Sequence, residues 1–333
     1  MTSNVFGWGI IGCGVIASSH ARAVLANAPQ ARLVGVCDID LVKAEHLKDQ
    51  FGAQFATESI DELLSSLEID CVSICTPSGL HAHCGIEAAR AGKNILCEKP
   101  LDIDHSRMDA FIKNVHTVGV KLGCVFQQRT HPLHRRLKAM LTAGAFGRIL
   151  YADLSGKDYR SPEYYRTADW RGTLRYDRGC LMNQGIHSLD LLLWLIGEPV
   201  VEVAGFADHL ARAIEAEDTI AGSLHFASGA LASILYATSS SRSRLPHHIG
   251  IHCTEGNIIL QGSQPFVEVR GEQLTFESDA TSRQGHEYHV HDLIEAIDNN
   301  RDPEITGESA RIAVDVALAL YEASETRSVV TLR

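Results

Sequence analysis

The sequence predicts an α/β fold in two parts: an N-terminal doubly wound parallel sheet, then an α+β domain built on an open, mostly antiparallel sheet. Three observations predict it. The first third alternates short apolar runs with helical patterns, the rhythm of parallel strands joined by crossover helices. From about Ile149 onward, strand-like segments follow one another with turn signals between them. At 333 residues the chain also exceeds the comfortable size of one hydrophobic core, so residues 1–125 and 126–333 are assigned to separate domains.

Residues 7–11 read as the first strand and 17–26 as the first helix, joined through Gly12-Cys13-Gly14-Val15-Ile16-Ala17. This is G-x-G-x-x-A in the context that gives the motif weight, behind a strand and opening a helix. Gly12 permits a tight turn, Gly14 lets backbone approach a pyrophosphate, Val15 and Ile16 lead into the helix, and Ala17 lets helix and strand pack closely. The second strand, 33–37, ends on Asp38, 24 residues beyond Gly14. A carboxylate there accepts hydrogen bonds from an adenosine ribose and repels a 2′-phosphate. No Arg follows it directly, so NAD is expected over NADP, with Lys43 the one opposing sign. The plainer alternative is that Asp38 caps a turn before the helix 41–51.

The next strand, 71–75, leads into Thr76-Pro77 and a helix over 81–91 that opens on His81; the one after it, 94–97, leads into Glu98-Lys99-Pro100. Glu and Lys are poor strand residues and Pro cannot donate to a ladder. At the carboxyl edge of an open sheet they are in place, because ligands collect there. Pro100 fixes the chain's exit and is a candidate for a cis peptide.

In the second half, residues 149–156, 200–206, 220–226, 231–237, 250–253 and 257–260 read as strands, with helices at 181–195 and at the C-terminus. One serine-rich tract, 239–243, is the sole low-complexity segment. A sheet face with little sequence left to cover it predicts a homo-oligomer, dimer or tetramer. On the 181–195 helix, Asn183, His187, Asp190 and Trp194 fall at i, i+4, i+7 and i+11 and make one stripe. A His with an Asp three residues later can have one ring nitrogen held while the other faces a substrate; a satisfied core histidine is the plain alternative. Residues 159–180 carry Arg160, Arg166, Arg171, Arg175 and Arg178 among aromatics. They read either as a grip on phosphates through Arg forks with an aromatic stacked on a ring, or as a solvated loop of mixed charge.

A formal net charge of −11 argues against nucleic acid or an anionic membrane as a partner. No run approaches the roughly 18 apolar residues that span a bilayer, and residues 1–30 lack a secretory pattern, so a cytoplasmic protein is expected. Nine cysteines without a CxxC pair read as buried, reduced thiols. His81-x-His83, His247-His248, and His286 with His289 and His291 lack a carboxylate or thiolate partner at ligand spacing, so no metal is expected.

The order G-x-G-x-x-A, Thr76-Pro77 with His81, Glu98-Lys99-Pro100, Gly185-Ile186-His187-Ser188-Leu189-Asp190 and 306–311 (Thr-Gly-Glu-Ser-Ala-Arg) resembles the Gfo/Idh/MocA family of NAD(P)-dependent sugar and inositol oxidoreductases over nearly the whole chain. The resemblance implies a nucleotide-binding N-terminal domain and a C-terminal domain for substrate binding and oligomerisation. It implies that Thr76, Pro77, His81, Glu98, Lys99, Gln127, Trp170 and Arg171 join the glycine loop and Asp38 in holding NAD. Lys99, Arg129, Arg160, Arg166, Asn183 and His187 are the implied substrate residues. Oxidising a secondary alcohol needs a base for the hydroxyl proton and a donor for the developing alkoxide. By resemblance His187 is the base and Lys99 the donor, or the two are exchanged. Asn183 stands where many relatives have Asp and cannot take a proton. Trp170-Arg171-Gly172 followed by Leu181-Met182-Asn183-Gln184-Gly185 is most similar to the branch acting at C3 of UDP-N-acetylated hexoses and hexuronates, although Asp177-Arg178-Gly179-Cys180 departs from the usual glycine-rich run. That departure could supply a further phosphate or carboxylate ligand. Inositol or free-sugar dehydrogenation, NAD-dependent glycoside hydrolysis and non-enzymatic sensing are the alternatives within the family.

Overall fold

The computed structural model describes residues 5–240, 245–262, 265–277 and 282–332; positions 241–243 of the serine-rich tract lie outside the described residues. The chain divides into two compact units, Met1–Thr130 with Arg283–Arg311 and His131–Ser282 with Ile312–Arg333.

The first unit contains β1 (Phe6–Ile11), α1 (Ala17–Ala26), β2 (Ala31–Cys37), α2 (Leu41–Phe51), β3 (Phe55–Thr57), α3 (Ile60–Ser65), β4 (Cys71–Ile74), α4 (His81–Arg90), β5 (Asn94–Cys97), α5 (His105–Val118) and β6 (Leu122–Cys124). The strands pair in parallel in the order β3-β2-β1-β4-β5-β6. All of β1 is buried, as a parallel strand covered on both faces must be. The order reverses between β1 and β4, so the loops leaving those strands diverge and open a crevice at the carboxyl edge.

The second unit holds α6 (Pro132–Thr142), β7 (Ile149–Lys157), α7 (Pro162–Arg166), α8 (Ile186–Ile196), β8 (Val200–Asp208), β9 (Thr219–Phe226), β10 (Leu231–Ala237), β11 (His248–Cys253), β12 (Gly256–Gln261), β13 (Phe266–Val269), β14 (Glu272–Gln273) and β15 (Val330–Thr331). Its sheet runs β14-β13-β12-β11-β7-β10-β9-β8-β15. Every pairing is antiparallel except β7 with β10. Along β10 exposed and buried residues alternate from Leu231 to Tyr236, the signature of a sheet with one covered face. The predicted helix over 181–195 begins instead as a π-helical turn, Leu181–Gly185, before α8.

Residues 283–311 correct the expected boundary, since they return to the first unit. Val290, Leu293 and Ile294 of α9 (Gly285–Asp298) join Trp8, Val24, Leu96 and Val125 in one core cluster. Each buried aliphatic side chain contributes about 1.5–3 kcal/mol, enough together to hold a helix that arrives after the whole second sheet. Polar ties add to this: the Asn27 side chain donates to the Glu287 carbonyl at 3.1 Å, and Gly285 N–H to Thr130 Oγ1 at 2.8 Å. The chain then enters α10 (Gly307–Thr326). In the second unit, Leu320 of α10 packs where Gly205 and Gly222 leave no side chain in the way. Among the described residues no helix is long and apolar enough to cross a membrane.

Candidate active site

The first unit supplies a nucleotide cradle. At the end of β1, Gly12 has φ +91°, and a Cβ there would lie 2.7 Å from the Cys75 carbonyl, so only glycine fits. A Cβ on Gly14 would meet nothing within 4 Å, which leaves that stretch of backbone open to a ligand. Val15 beside it is 89% exposed, an apolar side chain set at the rim. Ile16 is half-buried where α1 begins, and Ala17 is fully buried behind it.

Asp38 Oδ2 accepts from Cys13 N–H at 2.7 Å and Oδ1 from Asp40 N–H at 2.9 Å. Its carboxylate is thus locked to the glycine loop, and each oxygen keeps acceptor capacity for a ligand. The cap of α2 is Asp40, which accepts from Val42 N–H, so Asp38 does not cap that helix. Lys43, the residue that argued for caution, lies 3.3 Å from Asp40.

Thr76-Pro77 and Glu98-Lys99-Pro100 leave β4 and β5 on the same edge. His81, expected at the cofactor, is instead a brace: only 1% exposed, it sets Nδ1 2.6 Å from the Pro100 carbonyl and Nε2 2.9 Å from that of Thr76. Lys99 is half-buried, its N–H donates to Glu98 Oε2 at 3.1 Å, and the Lys99–Pro100 peptide is cis. Glu98 is buried and meets His286, a histidine for which the sequence offered no carboxylate partner. Gln127 is half-buried, and its carbonyl accepts from Thr130 Oγ1. Arg129 is 7% exposed and turned to the returning segment, with Nη1 and Nη2 each 3.1 Å from Ser309 oxygens and its guanidinium over Phe126. That geometry makes it a bracket for 283–311.

The second unit holds the other residues expected to act on a substrate. The π-helical turn carries Asn183, and Gly185 admits the Tyr236 ring, which a Cβ would meet at 2.9 Å. Asn183, His187 and Trp194 are partly exposed, whereas Asp190, expected on the same stripe, is fully buried. The wider π turn changes the angular register ahead of α8, as such turns often do at functional sites. Asn183 Nδ2 donates to Asp177 Oδ1 at 2.5 Å, and Asp177 Oδ2 accepts from Gly172 N–H at 2.7 Å. Asp177 is buried and ties the arginine-rich loop to Asn183.

In that loop Arg171 donates from Nε to Thr167 Oγ1 and from Nη1 to the Tyr164 hydroxyl, with its guanidinium 4.5 Å from the Trp170 ring and 4.3 Å from that of Tyr164. Arg160 also lies over Tyr164, at 5.2 Å. Arg166 is exposed beside Glu163. The Nε atoms of Arg160 and Arg178 are buried and have no hydrogen-bond partner among the described residues. Arg178 also has φ +60°, uncommon for a side chain of its size.

Sequence reasoning did not single out Glu217. It is buried under the start of the π turn, where Oε1 accepts from Leu181 N–H and from the Tyr321 hydroxyl, both at 2.9 Å. Burial pushes its carboxyl up to about 7 against those donors. Nothing in the local sequence marks it, because its partners come from residues 181 and 321.

Residues 6–126 match the oxidoreductase family with an NAD-binding Rossmann fold, and residues 134–259 match the GFO/IDH/MocA C-terminal domain. The chain belongs to the Gfo/Idh/MocA oxidoreductase family. Inositol 2-dehydrogenase of Rhizobium meliloti is 31% identical over 78% of this chain and 76% of its own length. The scyllo-inositol 2-dehydrogenase (NAD(+)) of Bacillus subtilis is 26% identical over 93% of this chain and 91% of its own. Among solved structures, the WlbA dehydrogenase from Bordetella pertussis, in complex with NADH and UDP-GlcNAcA, superposes with a TM-score of 0.90 at 29% identity, covering 100% of this chain and 99% of that one. This family member is an NAD-dependent sugar oxidoreductase. The tight turn at Gly12, the open backbone over Gly14 and the anchored Asp38 carboxylate fit the dinucleotide.

Proposed function

We propose that this enzyme oxidises the C3 hydroxyl of a UDP-N-acetylated hexose, UDP-N-acetylglucosamine or its uronate, to the 3-keto sugar. The observation that carries this reading is the pair of buried, unpartnered guanidinium Nε donors of Arg160 and Arg178 in an aromatic-rich loop. An unsatisfied buried donor costs about 1–3 kcal/mol, and an anionic ligand would supply the missing acceptors. Neutral inositol offers no such anion. The WlbA neighbour holding UDP-GlcNAcA supports the same class of substrate.

Bound NAD supplies the acceptor for the hydride. His187 takes the hydroxyl proton, and Lys99 donates a hydrogen bond to the oxygen as it becomes an alkoxide. Asn183, held through its amide nitrogen by Asp177, positions the sugar. Trp170 and Arg171 complete the contacts to cofactor. The inositol 2-dehydrogenases among the relatives favour a second reading, oxidation of a free cyclitol.

Steady-state NADH formation separates the two. UDP-N-acetylglucosamine or its uronate should show kcat/KM at least about 100-fold above myo-inositol, the discrimination expected from one or two charge-assisted hydrogen bonds. Equal or greater efficiency with myo-inositol overturns the proposal. Release of a free sugar without net NADH would assign a hydrolase, and no turnover with any of these would favour a sensor.

The exposed face of the nine-stranded sheet supports self-association. Strand pairing sets His252, Tyr151, Leu231, His225 and Glu202 in one row and Leu235, Ala221 and Phe206 in another. Tyr151, Leu231 and Phe206 are each more than half exposed. A second copy packed face to face would cover them.

A further inference from the structure

Within the first unit a buried chain of hydrogen bonds ends on the residue before Lys99. Trp8 Nε1 lies 2.9 Å from Ser73 Oγ, that oxygen 2.9 Å from His20 Nδ1, and His20 Nε2 3.0 Å from Glu98 Oε1. His286 Nε2 reaches the same carboxylate oxygen at 2.9 Å, and Lys99 N–H donates to the other. Trp8, Ser73 and His20 are fully buried and Glu98 is 5% exposed.

An indole N–H only donates and an ionised carboxylate only accepts, so one placement of protons satisfies every member. Trp8 donates to Ser73, the Ser73 hydroxyl donates to His20 Nδ1, and His20 Nε2–H donates to Glu98. Burial alone would push the Glu98 carboxyl up; hydrogen bonds from His20 and His286 overcome this and hold it well below the usual carboxylate range. Burial pushes His20 down, so its neutral ring solvates the charge without cancelling it.

We infer that His20 and His286 are positioning residues that hold Glu98 as a fixed anion behind Lys99, and that this charge biases the cofactor site toward the oxidised dinucleotide. The nicotinamide ring is a cation in NAD+ and uncharged in NADH. A carboxylate fixed in a water-poor strand end attracts only the first. The donors His20 and His286 arrive from α1 and from the returning segment, which gives residues 283–311 a part in the cofactor site. This rests on NAD use and on the proposed place of Lys99 at the reacting oxygen, which sets the nicotinamide beside Glu98, and not on the choice of sugar. The three side-chain atoms also lie within 4.8 Å of one another, close enough to bracket a metal ion, and that alternative is an outcome of the test.

Titrating NAD+ and NADH separately into the full-length protein, freed of nucleotide, tests the inference without substrate. Glu98→Gln should weaken NAD+ about tenfold, a modest screened Coulomb effect, while NADH binding stays within about threefold and reports an intact fold. His286→Leu should shift the ratio the same way by about threefold, and His286→Gln, which keeps an N–H donor, should restore it. Equal loss of both dinucleotides, as a packing defect gives, overturns the inference. So does identical behaviour of the Leu and Gln variants, or one equivalent of metal in the purified protein that is lost from His286→Leu.

Discussion

We assign the choice of cofactor to a single side chain, Asp38. Its two oxygens are fixed by Cys13 N–H and Asp40 N–H, so the carboxylate cannot swing aside for a 2′-phosphate. Asp38→Ala should lower kcat/KM with NAD by about 30- to 100-fold, as loss of a charge-assisted pair of hydrogen bonds does, and leave NADP within about threefold. Equal loss with both would sink the assignment. At this scale the sequence revealed which residues reach the carboxyl edge, because a motif and a strand end suffice for that. It did not reveal which way they turn. His81 and Arg129, expected as ligand residues, also bond to backbone carbonyls and to Ser309. Their partners lie 5 to 180 residues away, and the sequence pattern does not encode that pairing.

Among elements, the junction of the π-helical turn with α8 is the most demanding. Glu217 supports it from beneath, with its carboxyl raised from the ordinary 4.5 to about 7 by burial. An acid raised on folding keeps its proton where the unfolded chain has lost it. Stability contributed this way is full below about pH 4.5 and is lost as pH rises through about 7. Glu217→Gln removes that dependence. Urea unfolding should therefore show the wild type losing on the order of 2–3 kcal/mol relative to the variant between about pH 5 and pH 8; parallel curves would exclude the effect. Helix and strand existence was legible from periodicity: α1, α2, β5 and β10 begin and end where the apolar pattern does. The π turn was not, since Leu181 to Leu195 reads as one helix, and the close approach of Gly185 to the Tyr236 ring is a contact across 51 residues.

For the whole molecule, the open sheet face makes oligomeric state the property to measure. Light scattering on the full chain should give two or four copies. Leu235→Asp, at a partly exposed position in the centre of β10, should shift the mass toward one copy by placing a charge in the buried patch. A monomeric wild type would overturn the self-association proposal. The succession of strands and turns was visible in sequence, with little chain left to cover the sheet, so the sheet and its bare face were expected together.

The sequence by itself determined the two-part architecture, the glycine loop, Asp38 and the strand-end Lys99, because each follows from local periodicity or a motif within one strand-turn-helix unit. Only the tertiary structure decided that residues 283–311 complete the first unit, that Asp177 holds Asn183, and that His20 and His286 converge on Glu98. The physical reason is common to all three. A buried polar group takes whichever partner the packed core brings within hydrogen-bond reach, and for Glu98 that partner lies 78 residues before it in one direction and 188 after it in the other.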